Sequence, residues 1–185
     1  MGFSIWGRPR GGGPVSEAAV NFENQLEVRA ITEPDIEFIS DAEGRAFTWS
    51  STDASAAGEE CIYIQNGDAI RELHIVQVWC SGDAAALWTL VGQTSGTAAG
   101  TPITAKSMNR QFSFTPLGTF LGDAEVTGTV AGDALMIKET IANTAIDLAP
   151  IGGIILGQGN AIAVFQDATN NINVTIVGFY EAKAV

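Results

Sequence analysis

Short runs of β-forming residues recur along the chain, each closed by a cluster of turn residues, and helix-length amphipathic patterns are missing almost everywhere. The runs fall at 25–32, 45–50, 59–66, 70–80, 85–93, 111–114, 124–130, 134–142, 153–156, 161–166 and 171–180. In the last of them Ile172, Val174 and Ile176 alternate with Asn171, Asn173 and Thr175, which puts one face on a core and the other outward. The run 70–80 is apolar on both parities, with Leu73, Ile75 and Trp79 against Val76, Val78 and Cys80, and this predicts a central strand covered on both faces. Asn66-Gly67-Asp68, Ser81-Gly82-Asp83, Ala131-Gly132-Asp133 and Gly157-Gln158-Gly159-Asn160 supply residues that tolerate positive φ and can reverse the chain. The stretch 93–104 is rich in Gly, Thr, Ala and Ser without apolar periodicity and reads as a long exposed loop. Eight or more antiparallel strands with one long middle loop predict an all-β, jelly-roll-like sandwich. The Cys…Trp…Cys framework of an immunoglobulin-type sandwich is missing.

A chain of 185 residues suffices for one domain with a substantial core, since folding at this size buries roughly 70% of the unfolded surface. The 46% hydrophobic and 16% charged residues exclude a disordered chain. With 21 acidic against 9 basic side chains the net charge is -12, which repels a phosphate backbone, so no nucleic-acid partner is expected. No apolar stretch is long enough to span a membrane, and residues 1–14 lack the apolar centre of a cleaved export signal, so neither membrane nor signal is expected. A myristoylation signal at Gly2 would need Ser or Thr at position 6, where Trp6 stands. The two cysteines, Cys61 and Cys80, each sit inside an apolar run and read as buried free thiols, with a disulfide or ligand role as the alternative.

Residues 1–20 differ from the rest and read as an extended N-terminal arm, leaving 21–185 as the sandwich. Gly2, Gly7, Gly11, Gly12, Gly13, Pro9 and Pro14 prevent a core there, and every acid lies at or beyond Glu17. Arg8 and Arg10 give the arm a charge opposite to the body's. Phe3, Ile5 and Trp6 would be exposed on an isolated tail, which makes them candidate anchors on a partner.

No set of residues nominates a reaction. The only histidine, His74, lies mid-strand beside Glu72 in an apolar run and reads as structural, where a Ser-His-Asp mechanism would need it exposed. No Gly-x-Ser-x-Gly elbow is present. One histidine and two separated cysteines make no closed zinc set, and no Asp-x-Asp-x-Asp-Gly loop offers a calcium site, so neither metal nor cofactor is expected. Glu33, Asp35 and Glu37, and the pair Glu59-Glu60, read as solvated acidic edges. Gly152-Gly153 lacks the Gly-Lys-Ser/Thr ending of a nucleotide loop and reads as a turn. Trp79 is expected in the core, and so are Trp49 and Trp88, although coplanar exposure of the latter pair would favour a glycan-binding domain. The sequon Asn173-Val174-Thr175 falls on a regular strand and carries little meaning without secretion.

The order of several segments resembles that in a known group: Cys61-Ile-Tyr-Ile-Gln-Asn66, Leu73-His-Ile-Val-Gln-Val78, the Thr94-Ser-Gly-Thr run, Gly153-Ile-Ile-Leu-Gly-Gln-Gly159, Ala161-Ile-Ala-Val164 and Val174-Thr-Ile-Val-Gly-Phe-Tyr-Glu181. Over about residues 59–181 the chain resembles the β-sandwich decoration, or cement, proteins of tailed-bacteriophage capsids. The resemblance implies a jelly roll, usually a homotrimer, on the outer capsid surface of a virion, tying neighbouring major capsid protein subunits together against internal DNA pressure. The arm would then lie in a groove between capsid subunits or add a strand to a sheet edge, with Phe3, Ile5 and Trp6 as anchors and Arg8 and Arg10 meeting carboxylates. The alternative is a host-recognition module, such as a fibre or spike head, or a glycan-binding sandwich. A fibre head would carry a coiled or helical shaft where this chain has a short Gly-Pro arm.

Overall fold

The computed structural model describes residues 6–7, 16–17, 44–93, 95–109, 111, 114–130 and 132–183. The chain divides into two compact units, Met1–Pro34 and Asp35–Val185. In the first, β1 (Trp6–Gly7) pairs antiparallel with β2 (Ser16–Glu17), with Trp6 opposite Glu17 and Gly7 opposite Ser16. The expected strand at 25–32 and the acids Glu33, Asp35 and Glu37 lie outside the described residues.

The second unit is all-β among its described residues. Its strands are β3 (Ala46–Ser55), β4 (Glu60–Asn66), β5 (Arg71–Gly82), β6 (Ala86–Gln93), β7 (Ser95–Pro102), β8 (Lys106–Ser107), β9 (Gly118–Val130), β10 (Ala134–Thr140), β11 (Ile146–Asp147), β12 (Ile154–Leu156), β13 (Ala161–Gln166) and β14 (Asn170–Ala182). One sheet has the order β10-β6-β13-β4-β9-β7, and the other β11-β5-β14-β3-β8 with β12 also paired to β5. All their pairings are antiparallel. The last two strands are inserted among the first: β13 lies between β4 and β6, and β14 between β3 and β5. The last two strands are therefore held in the interior of the two sheets, one in each.

The sheets pack face to face because each turns an apolar side inward. Phe47 and Trp49 from β3, Leu73, Ile75 and Val78 from β5, and Ile172, Val174 and Ile176 from β14 meet Ile62 and Ile64 from β4, Trp88 and Leu90 from β6, and Ile162 and Val164 from β13. Phe47, Phe114 and Tyr180 form a triangle of rings with centroids 5.6 to 6.2 Å apart, and Trp49 touches Phe120 at 5.4 Å. Such tilted and edge-on pairs add about 0.5–1.5 kcal/mol each beyond the area they bury. Trp49 and Trp88 are fully buried, as expected, and the Trp88 Nε1–H donates to Thr140 Oγ1 at 3.0 Å.

Three expectations are corrected. First, β5 is buried on one face only. Its register against β14 shifts, with Gly178 opposite Ile75 and Val177 opposite Gln77, so Val76 is an extra residue. Leu73 and Ile75 face the core before this bulge, and Val78 and Cys80 face it after, so a change of parity mimics a strand covered on both sides. Trp79 is accordingly thrown to the outer face, where it is 43% exposed instead of being core. The strands covered on both faces are β4 and β13, where Tyr63, Ala161 and Ala163 form a second buried cluster with Leu121 and Val126 on the far side of the sheet.

Second, most of the stretch read as a loop at 93–104 is β7, paired with β9. Main-chain hydrogen bonds build this ladder, and Ala99, Gly100, Thr101 and Pro102 remain exposed, so this part of the strand has no burial to leave a periodic trace. Conversely, Gln111 and Phe114, expected in a strand, are not in one, and β9 begins at Gly118, well before 124. Third, Gly67 and Gly82 do not use positive φ, whereas Gly152, Gly153 and Gly159 do. Gly82 is glycine for space, because a Cβ there would lie 2.2 Å from Asn170 Nδ2.

Candidate binding surfaces

Of the arm residues proposed as anchors, Trp6 lies in β1, and Phe3, Ile5, Arg8 and Arg10 lie outside the described residues.

His74 is half-buried on β5. Its ring stacks on Phe179 at 4.9 Å with planes 10° apart, and Nε2 stands 3.7 Å from Glu181 Oε2. Its partners are thus a ring and a carboxylate on β14, and among the described residues no serine or cysteine is paired with it. Glu59 is not a free acidic edge, since Oε2 accepts from the Ala56 N–H at 2.6 Å and closes the β3–β4 turn. Glu60 is buried at the start of β4, which corrects the expectation of a solvated pair. Burial pushes the Cys61 thiol up to about 12 and the Cys80 thiol well above its ordinary value, so both stay protonated and poorly nucleophilic. Both cysteines are free and buried. Among the described residues no group of three or more His, Cys, Asp or Glu side chains converges to hold a metal.

One buried polar corner pins the β4–β5 turn. Asn66 is fully buried; its Nδ2 donates to the carbonyls of Arg71 at 3.0 Å and Leu156 at 2.8 Å, and its Oδ1 accepts from the Asp68 N–H at 2.9 Å. Asp68 Oδ1 accepts from the N–H groups of Ile70 and Arg71, while Oδ2 meets the Arg71 guanidinium at 3.0 Å. Burial pushes the Asp68 carboxyl up, but these bonds together outweigh it and hold it below the ordinary aspartate value. The Arg71 guanidinium in turn lies 5.0 Å over the Phe114 ring. Asn-Gly-Asp in the sequence marked a turn; that its side chains would be consumed in holding β12 was not readable from spacing.

Among the described residues, two surfaces carry large exposed apolar side chains on the faces or edge of the sheets. The first is the sheet edge formed by β10, where Leu135 and Ile137, with Leu87 on the neighbouring β6, are exposed, and Ile141 just beyond the strand is 73% exposed. A cavity of about 490 Å³ adjoins it, lined by Leu135, Gly92, Ile154, Leu156 and Asn160, with Asp133 as its only titratable group among the described residues. A single carboxylate cannot supply paired acid and base. The second surface is the outer face of β3, β14 and β5, where Trp79 stands among hydroxyl and amide side chains.

No helix among the described residues is long and apolar enough to cross a membrane. Compared with known proteins, the chain matches no protein-family model, no curated protein and no solved structure.

Proposed function

We propose that this chain is a structural virion protein that decorates the outside of a tailed-bacteriophage capsid and stabilises it by binding major capsid protein subunits. The observation that carries the reading is the exposure of Leu87, Leu135, Ile137 and Ile141 about one sheet edge, on a chain of net charge -12. Several large apolar side chains exposed about one edge of an acidic chain favour cover by another protein. The strand order supports it: β3-β14-β5-β12 against β4-β13-β6-β10 agrees with the order expected of a double-sheet jelly roll, with β7 and β9 added to it. A rigid sandwich suits a clamp that must resist stretching of a shell. The arm supplies the second contact, with Phe3, Ile5 and Trp6 as anchors and Arg8 and Arg10 as its charge.

The test is decoration of particles stripped of this protein. The full chain rebinds at capsid-like copy number, Ile137→Asp fails to rebind, and deletion of residues 2–14 leaves the melting temperature unchanged but lowers retention through washing. Trp6→Ala weakens binding at all salt concentrations, by about 2 kcal/mol for an interface anchor; Arg8→Ala and Arg10→Ala matter less as salt rises. Absence of the chain from purified virions overturns the proposal.

A further inference from the structure

The outer face of β3, β14 and β5 carries two rows of side chains in register. In one, Ser50, Thr175, Trp79 and Asp147 stand side by side, since Thr175 pairs with Ser50 and with Trp79, and Trp79 pairs with Asp147 on β11. In the next, Asn173 lies between Thr52 and Ser81. Ser50, Thr52 and Asn173 are exposed, Thr175 and Ser81 are half-buried, and the Trp79 indole is the one large apolar group in the two rows.

The fold does not require an indole here. It sits three residues past the extra residue Val76 on the side away from the core, and the core is complete without it. Its neighbours narrow the class of ligand. Apart from Asp147, the two rows are uncharged hydroxyls and one amide, and Asp147 Oδ1 is already held by the N–H groups of Val78 at 3.0 Å and Ala149 at 2.9 Å. A protein partner is usually anchored by several apolar side chains packed together, and these two rows offer one. An anionic ligand would meet the field of a chain with net charge -12. What remains complementary is a neutral molecule with a flat C–H face to lie on the indole and hydroxyls to exchange hydrogen bonds with Ser50, Thr52, Asn173 and Thr175. Pyranose rings have that character.

Strand spacing and rise make the three-strand, two-row platform roughly 10 Å by 7 Å between Cα positions, more than one sugar ring covers. Its backbone belongs to β14 and the two strands paired on either side of it, so the groups are held in place before binding and lose little freedom on it.

We propose that this face binds a neutral polysaccharide chain, with Trp79 as the stacking platform and Asn173, Thr175, Ser50 and Thr52 as its hydrogen-bonding partners. The site is independent of the virion reading, because it lies on the other sheet from the β10 edge and needs no capsid.

The experiment is native electrophoresis of the full chain in gels cast with hydroxyethyl cellulose, glucomannan, mannan or dextran, with carboxymethyl cellulose as the anionic comparison. At least one neutral polymer retards the wild type. Trp79→Ala weakens that retardation by about tenfold or more, Trp79→Phe retains part of it, and Asn173→Ala reduces it, all with unchanged circular dichroism. Light scattering of the Trp79→Ala protein gives the same mass as wild type. No retardation by any of the four neutral polymers overturns the proposal, as does equal retardation of wild type and Trp79→Ala. Stronger retardation by carboxymethyl cellulose overturns it too. A lower mass for Trp79→Ala would make this face a contact between copies of the chain, and that also overturns it.

Discussion

Asp68 is a carboxylate taken out of water and given three hydrogen-bond donors in exchange, two main-chain N–H groups and the Arg71 guanidinium. Because its carboxyl is held below the ordinary value in the folded chain, it contributes stability above the unfolded value near pH 4 and loses it as pH falls through the folded value. Asp68→Asn keeps an oxygen for the Ile70 and Arg71 N–H groups but leaves Arg71 without its counter-charge. The expected cost is about 1–3 kcal/mol at pH 7, shrinking as the pH is lowered to 3. Urea unfolding at the two pH values checks this, and an equal deficit at both would show that the charge contributes nothing. The same scale explains why the thiols are quiet: Cys61 and Cys80 are neutral because they are buried.

Among the elements, the β5–β14 pair decides the most, since its bulge sets which side chains of β5 enter the core. The bulge brings the two backbones close at Gly178, where a Cβ would lie 2.6 Å from the His74 carbonyl oxygen and 3.1 Å from Ile75 Cδ1. Gly178→Ala must therefore push two interior strands apart, and it is expected to cost about 3 kcal/mol. Gly58 makes the opposite case, with φ of +83° and nothing within 4 Å of the added carbon, so Gly58→Ala is expected to cost only roughly 1 kcal/mol through backbone strain. Denaturant midpoints of the two variants separate crowding from strain. A smaller loss for Gly178→Ala than for Gly58→Ala would mean that the bulge does not constrain the pair as described.

For the whole molecule, the proposed virion role carries an expectation of self-association as a homotrimer with closed symmetry. Light scattering of residues 21–185 at micromolar concentration should give the mass of three chains, and a monomer there would count against it. The all-β class was legible in the sequence because strand burial repeats every second residue, as Ile172, Val174 and Ile176 do on β14. The turn at Gly152-Gly153 was legible because its residues carry the conformational preference themselves. Side-chain alternation says which residues share a face only while register is unbroken, and the extra residue at Val76 broke it. That is why Trp79 read as core and stands on the outer face, whereas β7, built from main-chain bonds among small exposed residues, left no pattern. The candidate sites were less legible than the fold. Trp79, Thr175 and Ser50 are far apart in the chain and meet only because β14 is inserted between β3 and β5, a pairing between distant segments that composition and local periodicity do not encode. Local preference determined the strands and turns, and long-range pairing decided which surface each side chain faces.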